Sequence, residues 1–158
     1  MAEEANVAVP TTFHYFPTKK ALIDAVVEEL SRFLIDEFVR THIATDEQGL
    51  SAVRKMLIEF SEAIQQHPDY IRVWLQWSAL VKDPIWETYQ TFETQASEVI
   101  AVLLERGKQD GTVRPNLRSN IASKIILSCA HSVALMKFGG CSRRDAFNLI
   151  DSLVDGYI

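Results

Sequence analysis

The residues best suited to chemistry lie close together near the start of the chain, in the stretch PTTFHYFPTKK at residues 10–20. Thr18 can cap the start of a helix whose first backbone amides have no partner inside the helix. Lys19 and Lys20 place two ammonium groups beside those amides, and the phenol of Tyr15 lies within a turn of them. Amides and cations in this arrangement bind phosphate groups, so the sequence predicts a phosphate site here.

The same stretch predicts a short helix with one outward face. Pro10 suits the first turn of this helix and Pro17 ends it. Phe13 and Phe16 are three residues apart and point to one side. The outward face then includes Thr11, Thr12, His14 and Tyr15. The helix and the phosphate site fit a nucleic-acid reader followed by a backbone anchor. They fit an ordinary helical hairpin with a solvated face equally well.

Catalytic and metal-binding patterns are missing from the sequence. The four histidines are scattered over different predicted helices: His14, His42, His67 and His131. None has HExxH spacing, and the chain contains neither a glycine-rich phosphate loop nor a nucleophile elbow. No carboxylates complete the Glu-x-x-His pattern of a di-iron bundle. We therefore expect no enzyme activity, no metal and no cofactor.

The charge balance limits the kinds of partner. The chain has 16 Lys and Arg residues against 21 Asp and Glu residues, a net charge of -5, so any nucleic-acid contact must be local. Cys129 and Cys141 have no metal-binding spacing, which favours free thiols in a reducing cytoplasm. No apolar run approaches the roughly 18 to 20 residues that span a bilayer. The sequence predicts a soluble, cytoplasmic protein without membrane contact.

Helical periodicity runs through most of the chain. Apolar residues at spacings of three and four predict long helices near residues 18–43, 50–66, 70–81, 84–110, 120–138 and 143–158. The expected N-caps are Thr18, Asp69, Asp83 and Ser142. The expected helix ends are Gly107 with Gly111 and Gly139 with Gly140. No alternating run is long enough for a sheet, so the predicted fold class is all-α.

Residues 5–27, ANVAVPTTFHYFPTKKALIDAVV, resemble the end of the helix-turn-helix of TetR-family transcriptional regulators. The family pattern for this segment is Ser-x-x-Thr-x-Tyr-x-Tyr-Phe-x-Ser/Thr-Lys. The residues that fall on it are Thr11, Phe13, Tyr15, Phe16, Thr18 and Lys19. Ala8 replaces the usual capping Ser, and Phe13 replaces the first Tyr. WLQWSALVKDPIW and LLERGKQDG further along resemble the quorum-sensing master regulators of the LuxR/HapR type within that family.

This resemblance implies a TetR-like fold with two parts. Residues 1–22 would be a partial helix-turn-helix domain, and residues 23–158 a helical-bundle domain for ligand binding and dimerisation. Thr11, Thr12 and His14 would contact base edges in operator DNA, while Tyr15 and Lys19 would contact phosphates. The expected function is a repressor controlled by a small apolar or amphipathic effector. The alternative is a helical small-molecule carrier or dimeric scaffold without DNA binding.

The resemblance also implies that the chain is N-terminally truncated. TetR-type domains have two helices, on the order of 40 residues, ahead of the recognition helix. The chain starts at MAEEAN, which resembles the tail of the second of these helices. We therefore expect operator binding to need the complete N-terminal domain.

Large aromatic residues gather in the middle of the chain and suggest a small-molecule site. They are Phe60, Tyr70, Trp74, Trp77, Trp86, Tyr89 and Phe92. Such rings can surround an apolar cavity or simply form core, and the residues alone favour core. The resemblance adds residues at positions that line a pocket in the quorum-sensing branch. The predicted pocket therefore comprises Leu34, Phe38, Phe60, Trp74, Trp77 and Cys129.

The last two predicted helices carry more apolar surface than one small bundle needs. The residues concerned on the fifth long helix are Ile121, Ile125, Ser128, Ser132 and Leu135. Those on the last helix are Phe147, Ile150, Leu153, Val154 and Tyr157. Two such helix pairs packed across a two-fold axis would form a four-helix interface. The sequence therefore predicts a homodimer.

Overall fold

The structure, a computed structural model, describes residues 14–81 and 85–158, apart from the side chains of residues 37–39. Its helices are α1 (Lys19–Ser31), a π-helical stretch (Arg32–Arg40), α2 (Thr41–Ile43), α3 (Gly49–Gln66), α4 (Pro68–Ser78), α5 (Ile85–Asp110), α6 (Ser119–Phe138) and α7 (Arg143–Gly156). These residues include no strand, which confirms the all-α prediction.

The first long helix is continuous from Lys19 to Ile43, as the periodicity predicts. Its N-cap is confirmed, since the Thr18 hydroxyl accepts a hydrogen bond from the Ala21 amide at 3.0 Å. The sequence analysis did not predict the π-helical winding of its middle part. In this wider winding, three successive side chains all turn inward. They are Phe33, Leu34 and Ile35, all buried.

The core lies between α3, α5 and α6, and the remaining helices cover it. Its largest fully buried side chains are Leu57, Ile64, Ile71, Ile100, Leu103, Leu104, Ile126 and Ile150, with several valines. α7 packs on α3 and α6. On the outer side of that contact, Arg54 of α3 donates hydrogen bonds to Asp151 and Asp155 of α7. Apolar packing on the inner side and ion pairs on the outer side therefore hold α7 against the bundle.

Two glycines allow α3 to start against the end of α5. A Cβ atom on Gly49 would lie 2.4 Å from the Cα of Gly107, and one on Gly107 would lie 2.4 Å from a methyl group of Val113. The predicted helix end at Gly107 is wrong. α5 continues to Asp110, because the glycine serves close packing rather than termination. Gly111, at φ +80°, follows the helix end as predicted.

The other predicted caps can be compared with the observed starts and ends of the helices. Ser142 is confirmed as the N-cap of α7, because its hydroxyl accepts a hydrogen bond from the Asp145 amide at 3.2 Å. α6 ends at Phe138, directly before the glycine pair. Asp69 is not a cap, since α4 begins at Pro68 and Asp69 lies in its first turn. There its carboxylate faces the positive end of the helix dipole. Asp83 lies outside the described residues.

Arg106 ties the end of the long first helix to α5. Its guanidinium donates hydrogen bonds to three backbone carbonyls, those of His42 at 2.9 Å, Ile43 at 3.1 Å and Thr45 at 2.7 Å. The last carbonyls of a helix have no partner inside the helix. A cation placed there satisfies them and opposes the helix dipole. The C-terminal end of the long helix is therefore anchored in the core.

Within the described part of the chain, α6 alone is long and apolar enough to cross a membrane. The sequence analysis expected no such run. In the fold, 44% of this apolar segment is buried inside the protein. Its buried residues include Ala122, Ile126, Val133 and Ala134. Part of the hydrophobicity of α6 is therefore used for packing within the protein.

Candidate functional site

The candidate nucleic-acid interface begins at a helical turn containing His14 and Tyr15. Both side chains are exposed, Tyr15 to 72%. Their rings meet edge to face, with centroids 5.3 Å apart. Thr11 and Thr12 lie outside the described residues, so two of the three predicted base-contacting residues have no structural description. The described part presents an imidazole and a phenol side by side to solvent.

The phosphate side of this interface is the start of α1. Thr18 caps the helix, and the exposed side chains of Lys19 and Lys20 follow. The ammonium group of Lys20 pairs with Asp24 at 2.6 Å, one turn along the helix. That pairing offsets part of its charge, so Lys19 is the better placed cation for an incoming phosphate. First-turn amides and a cation at one helix end can hold an anion.

A small apolar cavity of about 40 Å³ lies inside the bundle. Its walls are Leu34 from the π-helical stretch, Trp74 from α4, and residues of α3, α5 and α6. These further wall residues are Met56, Leu57, Phe60, Phe92, Ala96, Ile100, Ile126, Leu127 and Ala130. Typical ligand pockets are roughly 300 to 1,000 Å³, so a ligand must push these walls apart.

The predicted pocket residues divide into two groups. Leu34, Phe60 and Trp74 line the cavity. Trp77 and Cys129 do not line it: Trp77 is half-buried against the edge of the core, and Cys129 is buried elsewhere along α6. Both point away because each lies at a different helical angle from its neighbours on the wall, Trp74 and Leu127. The side chain of Phe38 lies outside the described residues.

Sequence reasoning missed most of the cavity wall. Met56, Ala96, Ile126 and Ala130 are ordinary core residues with no chemical signal of their own. Their helical spacing predicts burial but not a void, because a void depends on how side chains from five helices meet. Leu34 was found through the family resemblance, and Trp74 through its membership of the aromatic cluster.

At one end of the cavity lies a group of polar and aromatic side chains that we call the polar cluster: Trp74, Tyr89, Glu93 and His131. Tyr89 donates a hydrogen bond to a Glu93 carboxylate oxygen at 2.7 Å, and the Trp74 indole N–H donates to the same oxygen at 3.4 Å. The Nε2 atom of His131 lies 3.3 Å from the Tyr89 oxygen. The His131 ring packs on the Trp74 indole, with centroids 3.8 Å apart.

The protonation of two members of the polar cluster follows from their contacts. The Nδ1 atom of His131 lies 3.1 Å from the Leu127 carbonyl oxygen. A carbonyl only accepts, so Nδ1 carries the hydrogen and donates it. Burial, and secondly the hydrogen bond to Glu93, raise the pKa of Tyr89 far above its ordinary value. The phenol therefore keeps its proton and acts as the donor to Glu93.

A second polar contact joins the long helix to α4. Glu29 accepts hydrogen bonds from Arg32, at 2.7 and 3.0 Å, and from the Tyr70 hydroxyl, at 2.8 Å. The bond from Arg32, followed by that from Tyr70, lowers the pKa of Glu29 to about 2. The carboxylate therefore stays charged through the physiological pH range and bridges α1 to α4.

The predicted dimer residues on α6 form one stripe on its outer face. Ile121, Ser128, Ser132 and Leu135 are exposed and Ile125 is half-buried. The hydroxyl of Ser128 donates to the Lys124 carbonyl, and that of Ser132 to the Ser128 carbonyl. Because these hydroxyls are already hydrogen-bonded, covering them leaves no unpaired polar group. The stripe can therefore be buried by an apolar partner surface.

The predicted dimer residues on α7 point in two directions. Phe147, Leu153 and Tyr157 are half-buried and reach the outer surface. Ile150 and Val154 are almost fully buried in the protomer's own core, because α7 packs on α3 and α6 through that side. These two residues support α7 from within and are removed from the predicted contact surface.

Among the described residues, no three side chains of His, Cys, Asp or Glu come together in a way that could hold a metal ion. His42 is buried and pairs with Glu59 of α3 at 3.0 Å. His131 belongs to the polar cluster, and His67 packs edge to face on Phe33. Each of these histidines thus has a structural contact, although His67 itself is exposed.

Comparisons with known proteins show that the chain is similar to proteins described as transcriptional regulators. No family model matches it. It is 25% identical over 159 residues to the HTH-type transcriptional regulator LuxR of Vibrio harveyi, covering 98% of this chain and 75% of that protein. Its fold is similar to a crystal structure of a TetR/AcrR-family transcriptional regulator from Thermobifida fusca YX-ER1. That match has a TM-score of 0.69 and 17% identity, covering 99% of this chain and 84% of the other.

Proposed function

We propose that this chain, a TetR-type transcriptional regulator by its sequence and its fold, binds operator DNA through residues 11–19 and releases it when a small molecule occupies the cavity. One observation carries the proposal. The helix that runs without a break from Lys19 to Ile43 begins at the phosphate side of the DNA interface and places Leu34 on the cavity wall. A single helix thus connects the cavity wall to the proposed DNA contacts.

The DNA contacts that we propose combine the family resemblance with the exposure of His14, Tyr15 and Lys19. Thr11, Thr12 and His14 contact base edges in the major groove. Tyr15, Lys19 and the amides after Thr18 contact phosphates and fix the register. The net charge of -5 argues for such a local site, because the rest of the surface does not attract DNA. A protein acting on DNA in this way works in the cytoplasm.

The effector that we propose is small and apolar or amphipathic. All the residues around the cavity are apolar, so binding there depends on size and shape rather than on charge. The present volume of about 40 Å³ is too small for a typical effector. Entry of a ligand must therefore displace wall residues, including Leu34 of the long helix. We infer that this displacement moves α1 and weakens DNA binding, as in a repressor released by its ligand.

We also propose that two copies assemble through α6 and α7. The exposed apolar side chains Ile121, Leu135 and Phe138 lie along one side of α6. Phe147, Leu153 and Tyr157 add the outer edge of α7. A symmetric pair of these surfaces forms a four-helix contact. It also presents two DNA-reading turns, which suits a two-fold symmetric operator.

The test of DNA binding is a gel-shift assay with the full gene product on DNA from upstream of its own gene, at several salt concentrations. Lys19→Ala should weaken binding to all sequences about equally and lower the salt dependence by about one counterion. Thr12→Ala should change which sequence is preferred. Lys55→Ala, an exposed lysine on α3, is the control and should change neither. Failure of the wild-type protein to bind any upstream DNA would refute the proposal.

A further inference from the structure

We propose that the effector has a cationic head, and that Glu93, Tyr89 and His131 form the polar end of the site, where they bind that head as an ammonium group. This inference rests on the ligand control proposed above and specifies the chemistry of the ligand. The apolar body of the molecule occupies the cavity, and its head lies one helical turn beyond, in the polar cluster.

The position of the polar cluster makes it a natural extension of the cavity. On α5, Tyr89 and Glu93 lie about one turn before Phe92 and Ala96, which line the wall. On α6, His131 directly follows the wall residue Ala130. Trp74 belongs to both regions, because its indole lines the cavity, covers the His131 ring and reaches Glu93. The Trp74 indole therefore contacts both the apolar space and the polar groups.

The polar cluster is built around the Glu93 carboxylate. The Tyr89 hydroxyl has a single hydrogen, which it gives to Glu93 at 2.7 Å, and the side chain of Ser78 also hydrogen-bonds to Tyr89. The Nε2 atom of His131 lies 3.3 Å from the Tyr89 oxygen. Glu93 is itself an acceptor only. An incoming group that brings donors and no acceptors completes this network.

The present donor from Trp74 is a weak substitute for such a group. Its indole N–H reaches Glu93 at 3.4 Å, longer than the 2.7 to 3.2 Å of an ordinary N–H···O hydrogen bond. An ammonium group carries three donors and a positive charge, and its bond to a carboxylate is shorter and stronger. A modest shift of the indole along the His131 ring exchanges the weak donor for the strong one.

The same arrangement discriminates against other head groups. A carboxylate head meets the charge of Glu93 and brings no donor. A hydroxyl head brings one donor and no charge, so it gains less than an ammonium group. Hydrogen bonds to charged groups exceed neutral ones by enough to give about a tenfold preference. The site should therefore rank heads of equal chain length as ammonium, then hydroxyl, then carboxylate.

The experiment compares n-octylamine, n-octanol and octanoate as probes of the full gene product at pH 7, where the amine is protonated. Binding is followed by quenching of tryptophan fluorescence and by the rise in melting temperature that a bound ligand causes. We expect octylammonium to bind about tenfold more tightly than octanol. Glu93→Gln should remove this preference, and Glu98→Gln, an exposed position on the same helix, should keep it.

Equal affinity for octylammonium and octanol in the wild-type protein, or a preference that survives in Glu93→Gln, overturns the polar end but leaves the apolar cavity intact. Absence of binding by all three probes overturns the ligand control as well. If Glu93→Gln does not fold, the imidazole NMR signals of His131 in the wild-type protein replace it. They should shift at about tenfold lower concentrations of octylammonium than of octanol, and the absence of this difference overturns the inference.

Discussion

Glu29 shows how one residue can link two helices. Its carboxylate accepts from Arg32 on its own helix and from Tyr70 on α4, which lowers its pKa from 4.5 to about 2. A carboxyl group with a lowered pKa stabilises the fold above its ordinary pKa, and that contribution is lost as the pH falls toward 2. The link is therefore intact at neutral pH and open only in strong acid.

Removing the Tyr70 hydroxyl tests this link. In Tyr70→Phe the pKa of Glu29 should rise toward 4.5, because one of its two donors is gone. The measurement is an NMR titration of the carboxyl carbons. Tyr157→Phe, which removes a hydroxyl from the other end of the chain, should leave Glu29 unchanged. An identical titration of Glu29 in the wild type and in Tyr70→Phe would show that the hydrogen bond is not made.

The two cysteines should differ sharply in reactivity. Burial raises the pKa of Cys129 to about 11, so its reactive thiolate is scarce at pH 8, whereas Cys141 is only half-buried. A disulfide reagent should modify one thiol quickly and the second only on unfolding. Cys141→Ser should remove the fast phase. Rapid modification of Cys129 in the native protein would contradict its position in the core.

At the scale of single residues, the sequence predicts types of environment better than exact contacts. Thr18 and Ser142 were correctly identified as caps, since a cap depends only on its own helix end. Trp74 and Trp77 were both predicted to line the pocket, but of these two only Trp74 lines the cavity. Two tryptophans three residues apart are chemically alike, and the neighbouring helices decide which of them meets the void.

The contact between α3 and α5 depends on two missing side chains. Gly49→Ala should lower the free energy of unfolding by about 2 to 4 kcal/mol, because the new methyl group meets the backbone of Gly107 and cannot be accommodated by a side-chain movement. Urea denaturation measures this. Gly156→Ala is the control, since no atom lies within 4 Å of the added methyl group and alanine favours helix. A Gly49→Ala protein as stable as the wild type would refute the close packing.

Elements that depend on local signals were predicted, and those that depend on tertiary packing were not. Pro68 and the pair Gly139 and Gly140 punctuate the chain wherever they occur, so the ends of α3 and α6 follow from the sequence. Gly107 carries the same local signal as a helix end, but α3 packs against it and α5 continues. The π-helical winding around Phe33, Leu34 and Ile35 likewise reflects the demands of the core.

At the scale of the whole molecule, the proposed dimer predicts that one charge introduced in the interface changes the oligomeric state. Leu135, 62% exposed, lies on the outer stripe of α6, and Leu135→Glu would bury a carboxylate in the contact. The variant should be a monomer at micromolar concentration by light scattering, while the wild type is a dimer. Leu80→Glu makes the same change at an exposed site beyond the end of α4 and should leave the dimer intact. A wild-type monomer at this concentration would reject the interface.

The central claim is that the cavity controls DNA binding through the long helix, and one measurement tests it directly. Fluorescence anisotropy gives the affinity of the full gene product for its upstream DNA with and without n-octanol, while tryptophan quenching reports whether octanol is bound. We expect bound octanol to weaken DNA binding about fivefold or more. Ala96→Val, which fills the cavity, should lose this effect, and Ala101→Val, off the cavity wall on the same helix, should keep it. Unchanged DNA affinity with octanol bound to the wild-type protein would contradict the account.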